Sequence, residues 1–272
     1  MATRAGSCDL CLEADMVPSR AQSPSGRALF SCARCGLVSA WPRRADRTTP
    51  PPGRPRDPRM DARRASSIMR LITSGRILEV DCGAGTFLTA LDPIRFEVVG
   101  LEADDHLAAL AGRRLREAGA RGSVFPRAEC ERLSDARMGR GSFDLVAVFG
   151  SLGRAASPRA LLMDISCLLK DGGHVVLETP SLTSITARLR GSRWQPLHDP
   201  WSEFFFTPTT LEQLGSLTGF SGGTIRTPMP VSWPPLGSLV YIARKAAVPL
   251  RRPVFDRLSM RGRELSPASA TD

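Results

Sequence analysis

Ile77-Leu78-Glu79-Val80-Asp81-Cys82-Gly83-Ala84-Gly85-Thr86 reads as an apolar strand, an acidic residue and a glycine turn that opens a helix. A second strand, Phe96-Glu97-Val98-Val99-Gly100-Leu101, ends on Glu102, twenty-three positions after Glu79. Glycines in such a turn let the backbone approach a ligand closely. A carboxylate at the second strand tip accepts hydrogen bonds from ribose hydroxyls. Together the two segments point to a Rossmann-like unit built to hold a nucleoside.

Outward from this stretch the pattern alternates between strand and helix. Ile68, Met69, Leu71 and Ile72 place a short amphipathic helix before the first strand, starting near residue 63. Asp104 caps a helix that runs to Gly119, a short strand surrounds Ser123–Phe125, and Asp144–Phe149 is a fourth strand. Ser157-Pro158 starts a helix ending near Lys170, and Asp171-Gly172-Gly173 turns into a strand over His174–Glu178. Thr207-Pro208 opens another helix, and strands over 220–227 and 238–244 close the body with no long helix between them. This predicts an α/β fold: a Rossmann-like, doubly wound sheet, mostly parallel with an antiparallel edge strand.

Cys8-Asp9-Leu10-Cys11 and Cys32-Ala33-Arg34-Cys35 are two C-x2-C pairs. Each such turn sets two thiolates on one side of a metal, and two together complete a tetrahedral shell. Disulfides are the competing reading, disfavoured in a cytoplasmic chain. We expect a small zinc ribbon over residues 1–45 with a closed, structural site formed by Cys8, Cys11, Cys32 and Cys35. Gly36 suits the turn after the second pair; Leu12, at the equivalent place after the first, suits it less. Pro50–Pro58 reads as a stiff spacer, so 46–62 is expected to be a Pro/Arg-rich linker, 63–245 the main domain and 246–272 a loosely ordered basic tail.

The net charge of +10 is unevenly spread. Residues 1–66 carry +6 and the tail +2, leaving a body that is almost neutral. Nucleic-acid enzymes more often place a basic stripe on the folded face, so a nucleic-acid partner is disfavoured. No apolar run reaches the roughly 18 residues a membrane span needs, and no secretory signal is evident. A cytoplasmic location follows as the expectation; oligomeric state is not readable.

The ordered segments resemble the class I S-adenosylmethionine-dependent methyltransferases over about Arg76 to Arg244. Ile77–Gly85 resembles the family's first motif and Gly100-Leu101-Glu102 its ribose-binding strand. Ala128–Leu133 lies where an acidic residue meets the adenine amino group. Ser142–Val146 and Leu168–Pro180 are similar to its fourth- and fifth-strand signatures. Arg193-Trp194 and Phe206–Leu211 resemble the branch related to quinone-biosynthesis O-methyltransferases, many bacterial members of which carry an N-terminal zinc ribbon.

The resemblance implies S-adenosylmethionine as cofactor, a small-molecule methyl acceptor such as a secondary metabolite, sugar or quinone-like compound, and a set of roles. Gly83 and Gly85 shape the turn beneath the methionine moiety, and Glu79 orders that turn or meets the amino group. Asp81 contacts the ammonium or crowds the cofactor. Glu102 takes the ribose, Glu129 and the Cys130 backbone take the adenine, and Phe149 lies along the cofactor. Three departures stand out. Asp81 replaces the glycine that usually opens the turn, Gly153-Arg154 replaces a Glu-His pair, and Ser202 replaces a second histidine. The catalytic base is therefore not inherited, and His198, oriented by Asp199 in the insertion Gly191–Trp201, is the candidate. Trp194, Trp201 and Phe204–Phe206 are either a substrate wall or a lid packed on the sheet. Two alternatives stay open: an RNA or protein methyltransferase gripping its partner through the ribbon, and a catalytically degenerate cofactor-binding module.

Overall fold

The computed structural model describes residues 6–19, 27–43, 56–126, 138–226 and 237–246. Glu129 and Cys130, linker residues 46–55 and tail residues 247–272 lie outside the described residues. In chain order the elements are β1 (Met16–Pro18), β2 (Ala28–Cys32), β3 (Val38–Trp41), α1 (Pro58–Leu71), β4 (Gly75–Val80), α2 (Thr86–Thr89), β5 (Phe96–Glu102) and α3 (Asp105–Glu117). There follow β6 (Arg121–Pro126), β7 (Phe143–Phe149), α4 (Pro158–Leu168), β8 (Leu169–Pro180), α5 (Ile185–Arg190), β9 (Phe204–Phe205), α6 (Pro208–Leu217), β10 (Phe220–Arg226) and β11 (Ser238–Lys245).

Seven strands form one sheet in the order β10-β11-β8-β7-β4-β5-β6. The pairs β4–β5, β4–β7, β5–β6 and β7–β8 are parallel, whereas β11 runs against both β8 and β10. The order reverses between β4 and β7, and in open α/β sheets ligands bind beyond the carboxyl ends of strands at such a switch point.

Both sheet faces are buried. On one, Ile77, Leu145, Ala147 and Val176 pack with Ala65 and Ile68 of α1, Phe87 and Leu88 of α2, and Ala111 and Leu115 of α3. On the other, Leu78, Val80, Val146, Val148 and Leu177 pack with Leu161, Leu162 and Ile165 of α4 and Leu211 and Leu214 of α6. Period-two alternation along β4 thus sends Leu78 and Val80 to the α4/α6 side, and Ile77 and Glu79 to the α1/α2 side. No helix among the described residues is long and apolar enough to cross a membrane.

Three differences from the sequence reading are physical. First, α1 begins at Pro58, so residues 58–62 are helical and not linker. The Asp57 side chain accepts from Arg59 N at 2.9 Å, and proline at the first helical position needs no hydrogen-bond partner there. Second, β8 starts at Leu169, with Asp171-Gly172-Gly173 absorbed as an irregularity in its pairing with β7. Third, residues 204–205 form a strand, β9, that joins the ribbon sheet in the order β1-β2-β3-β9. Val38 faces Phe205 and Ser39 faces Phe204.

Candidate cofactor cleft and its roof

The turn after β4 has three residues in the left-handed region: Asp81 (φ 56°), Gly83 (φ 57°) and Gly85 (φ 76°). Aspartate tolerates that conformation better than most side chains, so Asp81 supplies the backbone shape a glycine would otherwise provide. Gly85 is fixed by packing as well. A Cβ there would lie 3.0 Å from the Ala111 Cβ and 3.2 Å from its Cα, so α3 could not approach. Gly83 faces open space apart from the Arg56 side chain, 3.3 Å from where its Cβ would be.

Glu102, at the tip of β5 and 3% exposed, points back at this turn. One carboxylate oxygen accepts from Gly83 N at 2.6 Å; the other accepts from Ala103 N at 2.8 Å and Asp104 N at 3.0 Å. Burial raises its pKa, with the Asp104 and Gly83 amides pulling the other way. A carboxylate offers about four lone-pair sites, so Glu102 can take roughly one further donor without releasing an amide.

Sequence reasoning missed what lies on the other side of the turn. Arg56 places its guanidinium 2.6 Å from Glu79, 3.0 Å from Asp61 and 3.4 Å from the Asp81 carbonyl. Arg64 grips Glu178 with two hydrogen bonds, of 2.9 and 2.5 Å, and reaches Asp61 at 2.6 Å. Thr86 donates its hydroxyl to Asp61. Both guanidinium groups lie against the Phe149 ring, Arg64 at 4.8 Å and Arg56 at 5.6 Å, and Phe87 meets that ring edge-on at 5.0 Å. One signal was available: Asp61 and Arg64 share the α1 stripe of Ala65 and Ile68, and polar residues on a buried stripe need partners.

Glu79 is fully enclosed. Its Oε1 is close to Arg56 but off the hydrogen-bond direction, and Oε2 has no hydrogen-bond partner. The short distance is a close approach without an aligned hydrogen bond. Burial accordingly dominates and pushes the carboxyl up to about 8, against the pull of Arg56. Asp61 is the opposite case. Burial would raise it, but Arg56, the Thr86 hydroxyl and Arg64 hold it below the usual carboxylate range. An incompletely bonded carboxyl beside an open glycine turn fits a ligand whose ammonium would favour its ionised form, and Arg56 fits one that brings a carboxylate.

Residues after β7 and the insertion 181–206 cover the strand ends. Glu203 N donates to Gly153 O at 2.8 Å, and a Cβ on Gly153 would sit 2.6 Å from Phe204 O. Arg154 pairs with Asp199 at 3.0 Å, and Asp199 also accepts from Ser202 Oγ at 3.0 Å and Trp201 N at 3.0 Å. The two positions that the resemblance gives to histidines, Arg154 and Ser202, thus converge on one carboxylate. His198 is exposed on a 3-10 turn with Nε2 3.0 Å from Ser192 O, while the neighbouring Asp199 pairs with Arg154. Trp194, Phe204, Phe205 and Phe206 are buried, packed against ribbon and sheet as a lid.

All four sulfurs of Cys8, Cys11, Cys32 and Cys35 lie within 4.8 Å of one another, with Cys8–Cys35 and Cys11–Cys32 at 3.5 Å. Four thiolates at 2.3 Å from a tetrahedral zinc stand about 3.8 Å apart, so the cluster fits that ion. The two knuckles match: Leu12 N bonds Cys8 O and Gly36 N bonds Cys32 O, both at 2.9 Å, with φ of 66° and 78°. Leu12 adopts the glycine-like conformation despite its side chain.

A parallel sheet with this strand order, a glycine turn at its switch point and an acid at the next strand tip define the fold of S-adenosylmethionine-dependent methyltransferases. The family model described as a methyltransferase domain matches residues 54–222, well over half the chain, and the chain belongs to that family. Among solved structures, the CurJ carbon methyltransferase is similar with a TM-score of 0.54 and 16% identity, over 69% of this chain and 54% of that one. The chain thus corresponds to about half of the CurJ chain. A SAM-dependent methyltransferase from Methanosarcina mazei matches with a TM-score of 0.51 and 18% identity, over 66% of this chain and 97% of that one. A third, from Thermotoga maritima, has a TM-score of 0.51 and 18% identity, over 69% and 90%. No curated protein sequence matches the chain.

Proposed function

We propose that the protein transfers a methyl group from S-adenosylmethionine to a small-molecule acceptor in the cytoplasm, with a structural zinc in the ribbon. The observation that supports this acceptor class is the roof: residues 199–206 lie across the β7 exit, bound to Gly153 and Arg154, on a body with almost no net charge. A polymer needs an open, charged track instead.

In this reading Glu102 receives the ribose hydroxyls, and Gly83 and Gly85 leave room for the methionyl part. Glu79 and Asp81 meet its ammonium, Arg56 its carboxylate, and Phe149 lies along it. Glu129 and the Cys130 backbone take the adenine. When bound, the cofactor supplies a methyl already activated on a sulfonium. The chain's own contribution is chiefly alignment of the acceptor and exclusion of water. An oxygen or acidic-carbon acceptor must also lose a proton. With Nε2–H of His198 donating to Ser192 O, Nδ1 remains to take it. Cys8, Cys11, Cys32 and Cys35 hold zinc in a closed shell that performs no chemistry itself.

Calorimetric titration with S-adenosylmethionine tests the cofactor site, and absence of binding at millimolar cofactor would reject it. Mass spectrometry of metabolite pools incubated with protein and cofactor should then show one species gaining about 14 Da, a methylene equivalent. Methylation confined to added RNA or protein would reject the small-molecule reading.

A further inference from the structure

The strap over the strand ends is held from two sides. On the body side are Glu203 N to Gly153 O and the Arg154–Asp199 pair. On the ribbon side β9 pairs with β3, Ala40 N donates to Glu203 O at 2.9 Å, and Arg27 Nη1 donates to Pro200 O at 2.9 Å. The Arg43 guanidinium lies 4.8 Å from the Phe204 ring. Leu29, Val38 and Ala40 of the ribbon share one apolar cluster with Ala187, Trp194, Leu197 and Phe205 of the insertion. The ribbon is itself fastened to the start of α4, where Arg159 N bonds Asp9 Oδ2 at 3.1 Å and Arg159 Nη1 bonds Leu10 O at 2.6 Å.

We propose that the ribbon is a positioning element of the methyl-acceptor site: its β3 edge holds residues 199–206 in place over the strand ends, so that an intact cysteine knuckle sets the lid's closed geometry. This rests on the reading of the strand ends as the acceptor site. The knuckle reaches the lid through a short path. Cys32 ends β2, Cys35 stands three residues before β3, and Ser31 pairs with Val38, whose other neighbour is Phe205. The polar part of the joint is small, a two-residue strand and a few hydrogen bonds each worth only about 0.5–1.5 kcal/mol net, so the shared apolar cluster carries much of the hold. Local opening of such a segment does not require the seven-stranded sheet to unfold. The polar partners of the cofactor-side residues lie elsewhere, Glu79 beside Arg56 and Glu102 on the amides of Gly83, Ala103 and Asp104, so lid release and cofactor binding are expected to be separable.

Two substitutions attack the joint from opposite sides without touching a cysteine or the cofactor turn. Ala40→Pro deletes the N–H that bonds Glu203 O; Gly153→Ala drives a methyl into Phe204 O. Hydrogen exchange of the full-length protein, followed by mass spectrometry of peptides spanning 199–206, should show amides exchanging at least tenfold faster in both variants. Peptides from β4, β5 and β7 should keep wild-type rates, S-adenosylmethionine should bind within twofold of wild type, and Ala40→Gly, which retains the N–H and adds no polar group to the buried cluster, should exchange much closer to wild type than Ala40→Pro. Unchanged exchange over 199–206 in Ala40→Pro and Gly153→Ala would overturn the proposal. So would acceleration spread equally over the central strands, which is a loss of global stability. Failure of the wild-type protein to bind cofactor would instead refute the methyltransferase reading, and the exchange comparison would still decide the coupling.

Discussion

Replacing Glu79 by glutamine keeps the side-chain shape and removes a titrating proton from a fully enclosed site. Burial raises that carboxyl to about 8 in the folded protein; in the unfolded chain it titrates near 4.3, the ordinary glutamate value. The folded state therefore retains a proton that the unfolded chain gives up. The associated stability is intact below about pH 4, declines as pH rises through the interval, and levels off above about pH 8. Within the interval the slope is at most ~1.4 kcal/mol per pH unit, so from pH 5.5 to 7.5 wild type loses roughly 2–3 kcal/mol at this site. Glutamine has no such slope. It reproduces the zero charge of the protonated carboxyl, so any difference in its contact with Arg56 does not vary over most of this range. Urea unfolding of both proteins at pH 5.5, 6.5 and 7.5, followed by tryptophan fluorescence, gives the difference directly. It should move by roughly 2–3 kcal/mol in favour of Glu79→Gln as pH rises. Curves that stay parallel to within about 0.5 kcal/mol would refute a protonated Glu79 and the burial argument behind it.

Arg64→Met removes the bidentate partner of the buried Glu178 carboxylate, so thermal unfolding should register a loss of about 3–5 kcal/mol. Glu102→Ala removes the acceptor that three amides share and the proposed ribose partner, and calorimetry should find S-adenosylmethionine affinity at least tenfold lower. Cys32→Ser should abolish stoichiometric zinc, measured by release to a colorimetric chelator; retention of one zinc per chain would count against the four-cysteine site. Leu12→Gly relieves roughly 1–2 kcal/mol of left-handed strain and gives back about half in chain flexibility. A net gain of about 0.5–1 kcal/mol in ribbon stability is expected on heating.

What could be read from the chain followed how local each pattern is. The alternation of β4 and β5, the Asp104 and Ser157 caps and the apolar run of β7 are written within a few residues, and the sheet repeats them closely. The cysteine spacing is similarly local, and the four sulfurs lie together. Pro58 misled because the same residue ends a spacer and begins a helix, and only the Asp57 cap distinguishes the two. β9 left no mark, because two phenylalanines have no period and their partner lies far away in sequence. The Arg56–Asp61–Arg64 group was half legible, since the charges interrupt an apolar stripe, but nothing in the sequence says that Glu79 and Glu178 wait above it. Arg154 and Ser202 read as two separate losses of histidine; folding joins them through Asp199.

The pairing of Val38 with Phe205 also sets an order of events at the ribosome. The ribbon emerges before the body, and the strand that covers its β3 edge is translated about 165 residues later, some 10–30 s at roughly 5–20 residues per second. For that time a nascent chain carries a bare strand edge, open to pairing with a neighbour on the same message. Fragments that stop before Phe204 keep that edge uncovered for good, and ought to be sticky.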